Sequence, residues 1–135
     1  MIYFIIAVIV FGFAVLVLIG VFGKFKPRHL NQKYFERKWL ELLTRVRTQD
    51  GMVLAIIDAD KLLDDALRRR GFSGKTMGER LVDAQRTLTN NDAVWFAHKL
   101  RNRLVHESEA RIREREAKAA LAAIRQGLKD LGALK

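Results

Sequence analysis

Imidazole, guanidinium and amide side chains recur at helical spacing within residues 95–107. On a helix, His98, Asn102 and His106 follow one another at four-residue steps, and Arg101 lies beside that line. An imidazole can take a proton from the 2′-hydroxyl of RNA, and a guanidinium can neutralise charge that develops on the phosphate. These residue types suit metal-independent cleavage of phosphodiesters. The candidate catalytic residues are Arg101, Asn102 and His106, with His98 in an auxiliary role.

The same polar side chains can equally be structural. Asp60 and Asp64 are four residues apart, so a helix places both carboxylates on one face, where arginines of a neighbouring helix can pair with them. Arg101 is one candidate partner. Metal binding is disfavoured because His98 and His106 are about 12 Å apart along a helix. The chain contains no cysteine, which excludes a thiolate metal site and a cysteine nucleophile. No metal and no cofactor are predicted.

Residues 71–76, GFSGKT, end like a phosphate-binding P-loop. The full pattern requires glycine at position 69, where the chain has Arg69, and it follows a strand rather than a helix. This excludes nucleotide binding by the segment. It predicts instead a helix that stops at glycine and a flexible turn.

An uncharged N-terminal run precedes all of these residues. The chain has 135 residues and a formal net charge of +10, yet residues 1–23 contain no charged side chain. The apolar run over residues 2–22 would reach about 31 Å as a helix, close to the thickness of the hydrocarbon core of a bilayer. It is longer than the apolar region of a signal peptide and has no basic residue before it. Residues 1–23 are therefore predicted to be a transmembrane anchor.

Basic residues follow the apolar run directly, at Lys24, Lys26 and Arg28. Because the cytoplasmic flanks of membrane spans are rich in Lys and Arg, they predict an N-terminus outside and a C-terminal domain in the cytoplasm. Residues 24–30 are predicted to be a basic linker whose cations attract anionic lipid headgroups, at roughly 1 kcal/mol each. An RNA-binding patch is the alternative interpretation, although the position beside the membrane already accounts for the charge.

Apolar residues at three- and four-residue steps predict helices throughout residues 31–135. Asn31 is a candidate N-cap, Gly71 and Gly132 are candidate C-terminal stops, and Thr76 with Glu79 matches a capping box. The predicted helices cover about residues 31–48, 50–70, 76–88, 92–108 and 110–131. The predicted fold class is all-α, with a single N-terminal transmembrane helix followed by a four- to five-helix up-and-down bundle.

The segment Arg101-Asn102-x-x-x-His106 resembles the Rx4–6H signature of the HEPN superfamily, in which a polar residue, often asparagine, follows the arginine. The resemblance covers roughly residues 35–132 and implies an all-helical domain. HEPN domains typically form dimers in which two motifs face one another. Many are metal-independent endoribonucleases, and many others are inactive binding or scaffolding modules. The resemblance thus implies catalytic roles for Arg101 and His106 only in the first group.

The motif helix also carries apolar residues beyond those one internal stripe needs, which supports a homodimer. These residues are Trp95, Phe96, Leu100 and Leu104. Two main hypotheses follow, and nucleotide or small-ligand sensing by the bundle is a minor third. The first is a membrane-anchored cytoplasmic interaction module, dimeric, whose polar face binds a protein partner or is structural. The alternative is a membrane-anchored endoribonuclease that binds RNA. They differ in whether Arg101 and His106 are exposed together in a groove or paired internally.

Overall fold

The computed structural model describes residues 1–22 and 28–135, and these ranges contain six helices and no strand. The helices are α1 (Ile2–Phe22), α2 (Gln32–Leu43), α3 (Gln49–Arg70), α4 (Met77–Asp83), α5 (Asn91–His106) and α6 (Glu114–Asp130). The predicted all-α fold class, an N-terminal helix followed by a helical bundle, is confirmed. The greater part of the predicted linker, with Lys24, Lys26 and Pro27, lies outside the described residues.

Helix α1 is apolar on every side and none of it is buried against the rest of the protein over Ile2–Val21. Its 21 residues make it long enough, and apolar enough, to cross a membrane. Since the side chains of Ile2–Val21 are exposed to solvent, α1 contributes nothing to the hydrophobic core of α2–α6.

Helix α3 lies at the centre of the bundle and contacts α2, α4, α5 and α6, while α5 also packs along α6. Its predicted apolar stripe is buried: Ile56, Leu63 and Leu67 are fully enclosed. Phe35 of α2 and Ile124 of α6 pack into the same core. Burying one such side chain stabilises a fold by about 1.5–3 kcal/mol. The core residues all fall between Phe35 and Leu134, so the core is complete without α1.

Several helix ends confirm the predicted caps. The Asn31 side chain accepts a hydrogen bond from the backbone N–H of Tyr34 at 3.2 Å. Gly71 ends α3 in the left-handed region, with φ +94°. The Thr76 hydroxyl accepts from the N–H of Glu79, but the Glu79 carboxylate accepts from the N–H of Lys75 instead of completing the box at Thr76.

Helices α2, α4 and α6 are shorter than the spacing predicts. Helix α2 ends at Leu43. A separate helix, α3, begins after Thr48, whose hydroxyl caps it by accepting a hydrogen bond from the N–H of Gly51. A Cβ at position 51 would collide with the backbone carbonyl of Arg45, so glycine permits this close turn. Helix α4 ends at Asp83 rather than near residue 88, and residues 84–87 form turns.

The start of α6 is displaced from residue 110 to Glu114. The cause is tertiary packing of the preceding segment: Ile112 is buried at 2 % exposure. Its carbonyl oxygen accepts a hydrogen bond from Nε2 of Gln49 at 2.8 Å. The free energy gained by burying this isoleucine exceeds the free energy that one more turn of helix would contribute.

Two of the four residues that supported a dimer belong to the core of the bundle itself. Leu100 and Leu104 are buried within it, and Trp95 is partly buried. Phe96 remains 43 % exposed and Val105 48 % exposed. The apolar surface that α5 leaves uncovered is therefore smaller than the sequence suggests.

Candidate functional site

A cleft of about 440 Å³ between α3, α4 and α5 contains most of the candidate polar residues. Helix α3 contributes Asp60, Lys61 and Asp64, and α5 contributes His98, Arg101 and Asn102. Thr76, Met77 and Gly78, at the start of α4, form the remaining wall.

Asp60 is the buried centre of this site, at 2 % exposure. Its carboxylate lies 3.1 Å and 3.2 Å from Nδ1 of His98. Nε of Arg101 lies 3.4 Å from the second carboxylate oxygen. A buried carboxylate is costly unless it is paired, and here two cationic or hydrogen-bonding groups from α5 surround it. The contact therefore fixes α5 against α3.

The hydrogen bonds around Asn102 determine the tautomer of His98. A guanidinium only donates, so Nη1 of Arg101 donates to Oδ1 of Asn102 at 2.8 Å. This orients the amide Nδ2 towards Nε2 of His98, 3.5 Å away. With the amide in this orientation Nε2 accepts, and Nδ1–H donates to Asp60. The imidazole is thereby held between a carboxylate and an amide.

The neighbouring carboxylate, Asp64, binds an arginine of α4. Nε and Nη2 of Arg80 donate to its two oxygens at 2.7 Å and 3.0 Å, a bidentate pair. Nη1 of Arg80 also donates to the carbonyl of Gly74 at 2.6 Å. These bonds hold the 71–76 loop and α4 onto α3, so the segment predicted as a flexible turn is anchored at Gly74. The predicted pairing of Asp60 and Asp64 with arginines of neighbouring helices is confirmed.

His106 lies apart from the other candidate residues. It is the last residue of α5, it is exposed, and it does not line the cleft. Eight residues of helix separate it from His98, about 12 Å. The structure thus brings together Arg101, Asn102 and His98, and leaves His106 outside that group.

The chemistry available in the cleft is limited by its charge and by its existing hydrogen bonds. A carboxylate that holds the Nδ1–H of an imidazole is the arrangement of a general base. Here, however, the Nε2 lone pair faces the Asn102 amide. Asp60 pairs with Arg101 and Asp64 with Arg80, so Lys61 is the lining cation that stands outside these ion pairs. A phosphodiester backbone is bound by several unpaired cations, and the two ion pairs leave the cleft with fewer than that requires.

Metal binding finds no support in the described ranges, 1–22 and 28–135, where no cluster of three or more His, Asp or Glu side chains could hold an ion. The sequence analysis missed Lys61, Thr76, Gly78 and Arg80 as parts of this site. Arg80 could have been predicted from the sequence, because the acidic residues of α3 require cationic partners. Thr76 and Gly78 could not, because their place in the wall of the cleft depends on how α4 packs against α3.

Comparison of the chain with protein-family models, with curated proteins and with solved structures finds no match.

Proposed function

We propose that this protein is a single-pass membrane-anchored interaction module, HEPN-like in its helical bundle. Its N-terminus lies outside and α2–α6 lie in the cytoplasm. The bundle pairs with a second copy through α5. The observation that carries this proposal is the internal pairing of Arg101 with the buried Asp60, while His106 is exposed elsewhere.

The length of α1 and its exposed apolar side chains support the membrane anchor. A helix that is apolar all round, and of which no part over Ile2–Val21 is buried against the described residues, is suited to a lipid environment. The basic residues Lys24, Lys26 and Arg28 directly after it support the cytoplasmic orientation of the bundle.

The solvent side of α5 supports the pairing surface. Lys99, Arg103 and His106 are exposed on one side of α5, exposed Phe96 lies beside them, and Arg103 also pairs with Glu116 at 3.6 Å. We call the four α5 residues, Phe96, Lys99, Arg103 and His106, the α5 outer face. An isologous dimer places this face against the same face of a second copy and buries on the order of 1,600 Å² in total.

Light scattering of residues 28–135 tests the pairing. The unchanged bundle is expected to have the mass of a dimer at high micromolar concentration, and Phe96→Lys is expected to be monomeric, because it replaces an apolar contact by a further cation on a face that already carries Lys99 and Arg103. Leu54→Lys is the matched control, since Leu54 is also an exposed apolar residue, at 51 % exposure, but lies on α3. A monomeric unchanged bundle would contradict the proposed pairing.

The alternative function is a metal-independent endoribonuclease, and one observation favours it: Arg101, Asn102 and His98 line a single cleft. The test compares RNA cleavage by residues 28–135 with cleavage by His106→Ala and by His98→Ala. Cleavage that His106→Ala abolishes would favour the ribonuclease over the interaction module.

A further inference from the structure

A second concave surface lies where the bundle begins, at the end nearest to α1 along the chain. It has a volume of about 560 Å³. The residues that line it are His29, Leu30, Asn31, Gln32, Lys33, Arg70, Leu131 and Gly132, and we call it the juxtamembrane pocket.

Two hydrogen bonds hold the walls of the juxtamembrane pocket together. Nε2 of Gln32 donates to the carbonyl of Gly132 at 3.3 Å, which joins the start of α2 to the end of α6. Nη1 of Arg70 donates to the carbonyl of Arg28 at 3.5 Å, which joins the end of α3 to the chain that enters α2. Three separate parts of the chain therefore shape the pocket.

The pocket is cationic. Its cations are Lys33 and Arg70, His29 lies beside them, and no acidic side chain occurs among its lining residues in the described part of the chain. The preceding arginine, Arg69, is paired with Asp65 at 3.0 Å. Arg70 has no such carboxylate partner among residues 28–135, and its contact is with a backbone carbonyl. Its guanidinium retains N–H groups that can donate to an anion.

Covalent geometry places this pocket near the lipid surface if α1 spans the bilayer. Helix α1, of about 31 Å, ends near the boundary of a hydrocarbon core that is about 30 Å thick. The six steps of chain from Phe22 to Arg28 reach at most about 22 Å. His29 to Lys33 follow immediately, so the pocket stays within about 22 Å of the hydrocarbon boundary, from where it can contact the headgroup region.

We propose that the juxtamembrane pocket binds the phosphate of an anionic lipid headgroup through Lys33 and Arg70. This inference rests on the proposed membrane anchor and adds to it a defined site on the bundle. A guanidinium offers paired N–H donors to phosphate oxygens, and an ammonium offers a point charge beside them. The occupant is a lipid rather than a soluble phosphate because the tether keeps the pocket beside a surface where headgroups are concentrated.

Binding would orient the bundle. A covalent connection to α1 does not by itself define which side of the bundle faces the bilayer, whereas a headgroup held between α2 and α3 turns the start of α2 towards it. Because these residues lie at the opposite end of α3 from Gln49, the turn that follows α2 would face the cytoplasm.

The test uses the full chain in lipid nanodiscs, with backbone hydrogen exchange as the readout. The amides of residues 29–33 are expected to exchange roughly thirty-fold more slowly in discs containing phosphatidylglycerol than in phosphatidylcholine discs, because each of the two cations contributes a factor of about five near an anionic surface. The double variant Lys33→Gln/Arg70→Gln is expected to lose this difference. The matched control, Arg47→Gln/Arg111→Gln, removes two exposed cations at the opposite end of the bundle and is expected to keep it.

Each outcome has one interpretation. A chain that inserts into the discs but shows equal exchange in both lipids contradicts the headgroup site and leaves the anchor intact. Equal loss of protection in both double variants also contradicts the site, because it assigns the effect to net charge. A chain that does not insert overturns the anchor and, with it, this inference.

Discussion

At the scale of single residues, one buried carboxylate of α3 joins that helix to α5. Asp60 is almost fully enclosed, and His98 and Arg101 are the groups that pair with it. Asn102 then links the guanidinium to the imidazole. The residues that suggest catalysis in the sequence are thus members of a connected network, in which each hydrogen bond fixes the direction of the next.

Arg101→Ala should lower the stability of residues 28–135 by roughly 1.5–3 kcal/mol, because the cation beside the buried Asp60 carboxylate is lost together with its hydrogen bond to Asn102. His98 still holds Asp60, and Arg101 is itself 25 % exposed, so the larger penalty of a fully unpaired charge is not expected. Chemical denaturation monitored by circular dichroism measures the change.

His106→Ala is the matched control for Arg101→Ala, since both change a polar residue of α5. His106 is exposed, so its replacement should alter stability by no more than about 0.5 kcal/mol. If Arg101→Ala were as stable as the unchanged bundle, Arg101 would be free for a ligand and its structural assignment would be wrong.

At the scale of elements, the position of α4 depends on a glycine in the loop before it. Gly74 has φ +150°, and a Cβ there would lie 2.7 Å from Cβ of Glu79 and 2.8 Å from the backbone N of Arg80. Its carbonyl accepts the hydrogen bond from Arg80 that ties the loop to the Asp64 pair. The local backbone and the ion pair therefore depend on one another.

Gly74→Ala should destabilise the bundle by roughly 2–4 kcal/mol, because backbone strain and a steric collision act together. Gly71→Ala is the control: it has φ +94° but no atom within 4 Å of a new Cβ. Gly71→Ala should therefore lower the stability by only about 1–2 kcal/mol, the cost of backbone strain alone. Equal melting temperatures for the two variants would contradict the collision at position 74.

The helices could be predicted because apolar residues recur at helical spacing, and the caps at Asn31 and Gly71 were visible as residue types. The C-terminal end of α2 and the start of α6 could not be predicted in this way. They depend on the close approach of Arg45 to Gly51 and on the burial of Ile112, contacts between residues that helical periodicity does not relate. The α5 residues of the cleft could be predicted together because they share a helix. The α4 wall could not be predicted, because it depends on how α4 packs against α3.

At the scale of the whole molecule, the chain consists of an apolar helix and a basic bundle with its own core. The proposed orientation puts the bundle in the cytoplasm, because the segments that flank membrane spans on the cytoplasmic side are rich in Lys and Arg. Protease added to intact cells, with any outer barrier opened, should therefore leave residues 28–135 undigested. Digestion should begin once detergent opens the membrane. Digestion before detergent is added would contradict the orientation.

The central claim, that two anchored copies pair through the α5 outer face, is tested most directly by cross-linking the full chain in its membrane. The chain has no cysteine, so Lys99→Cys introduces a single thiol in the middle of that face. In an isologous pair this residue lies near its own copy, and a short bifunctional thiol reagent should yield covalent dimers. Arg47→Cys, exposed in the turn after α2, controls for random encounters and should remain largely monomeric. Cross-linking that is no greater at position 99 than at position 47 would contradict the proposed pairing.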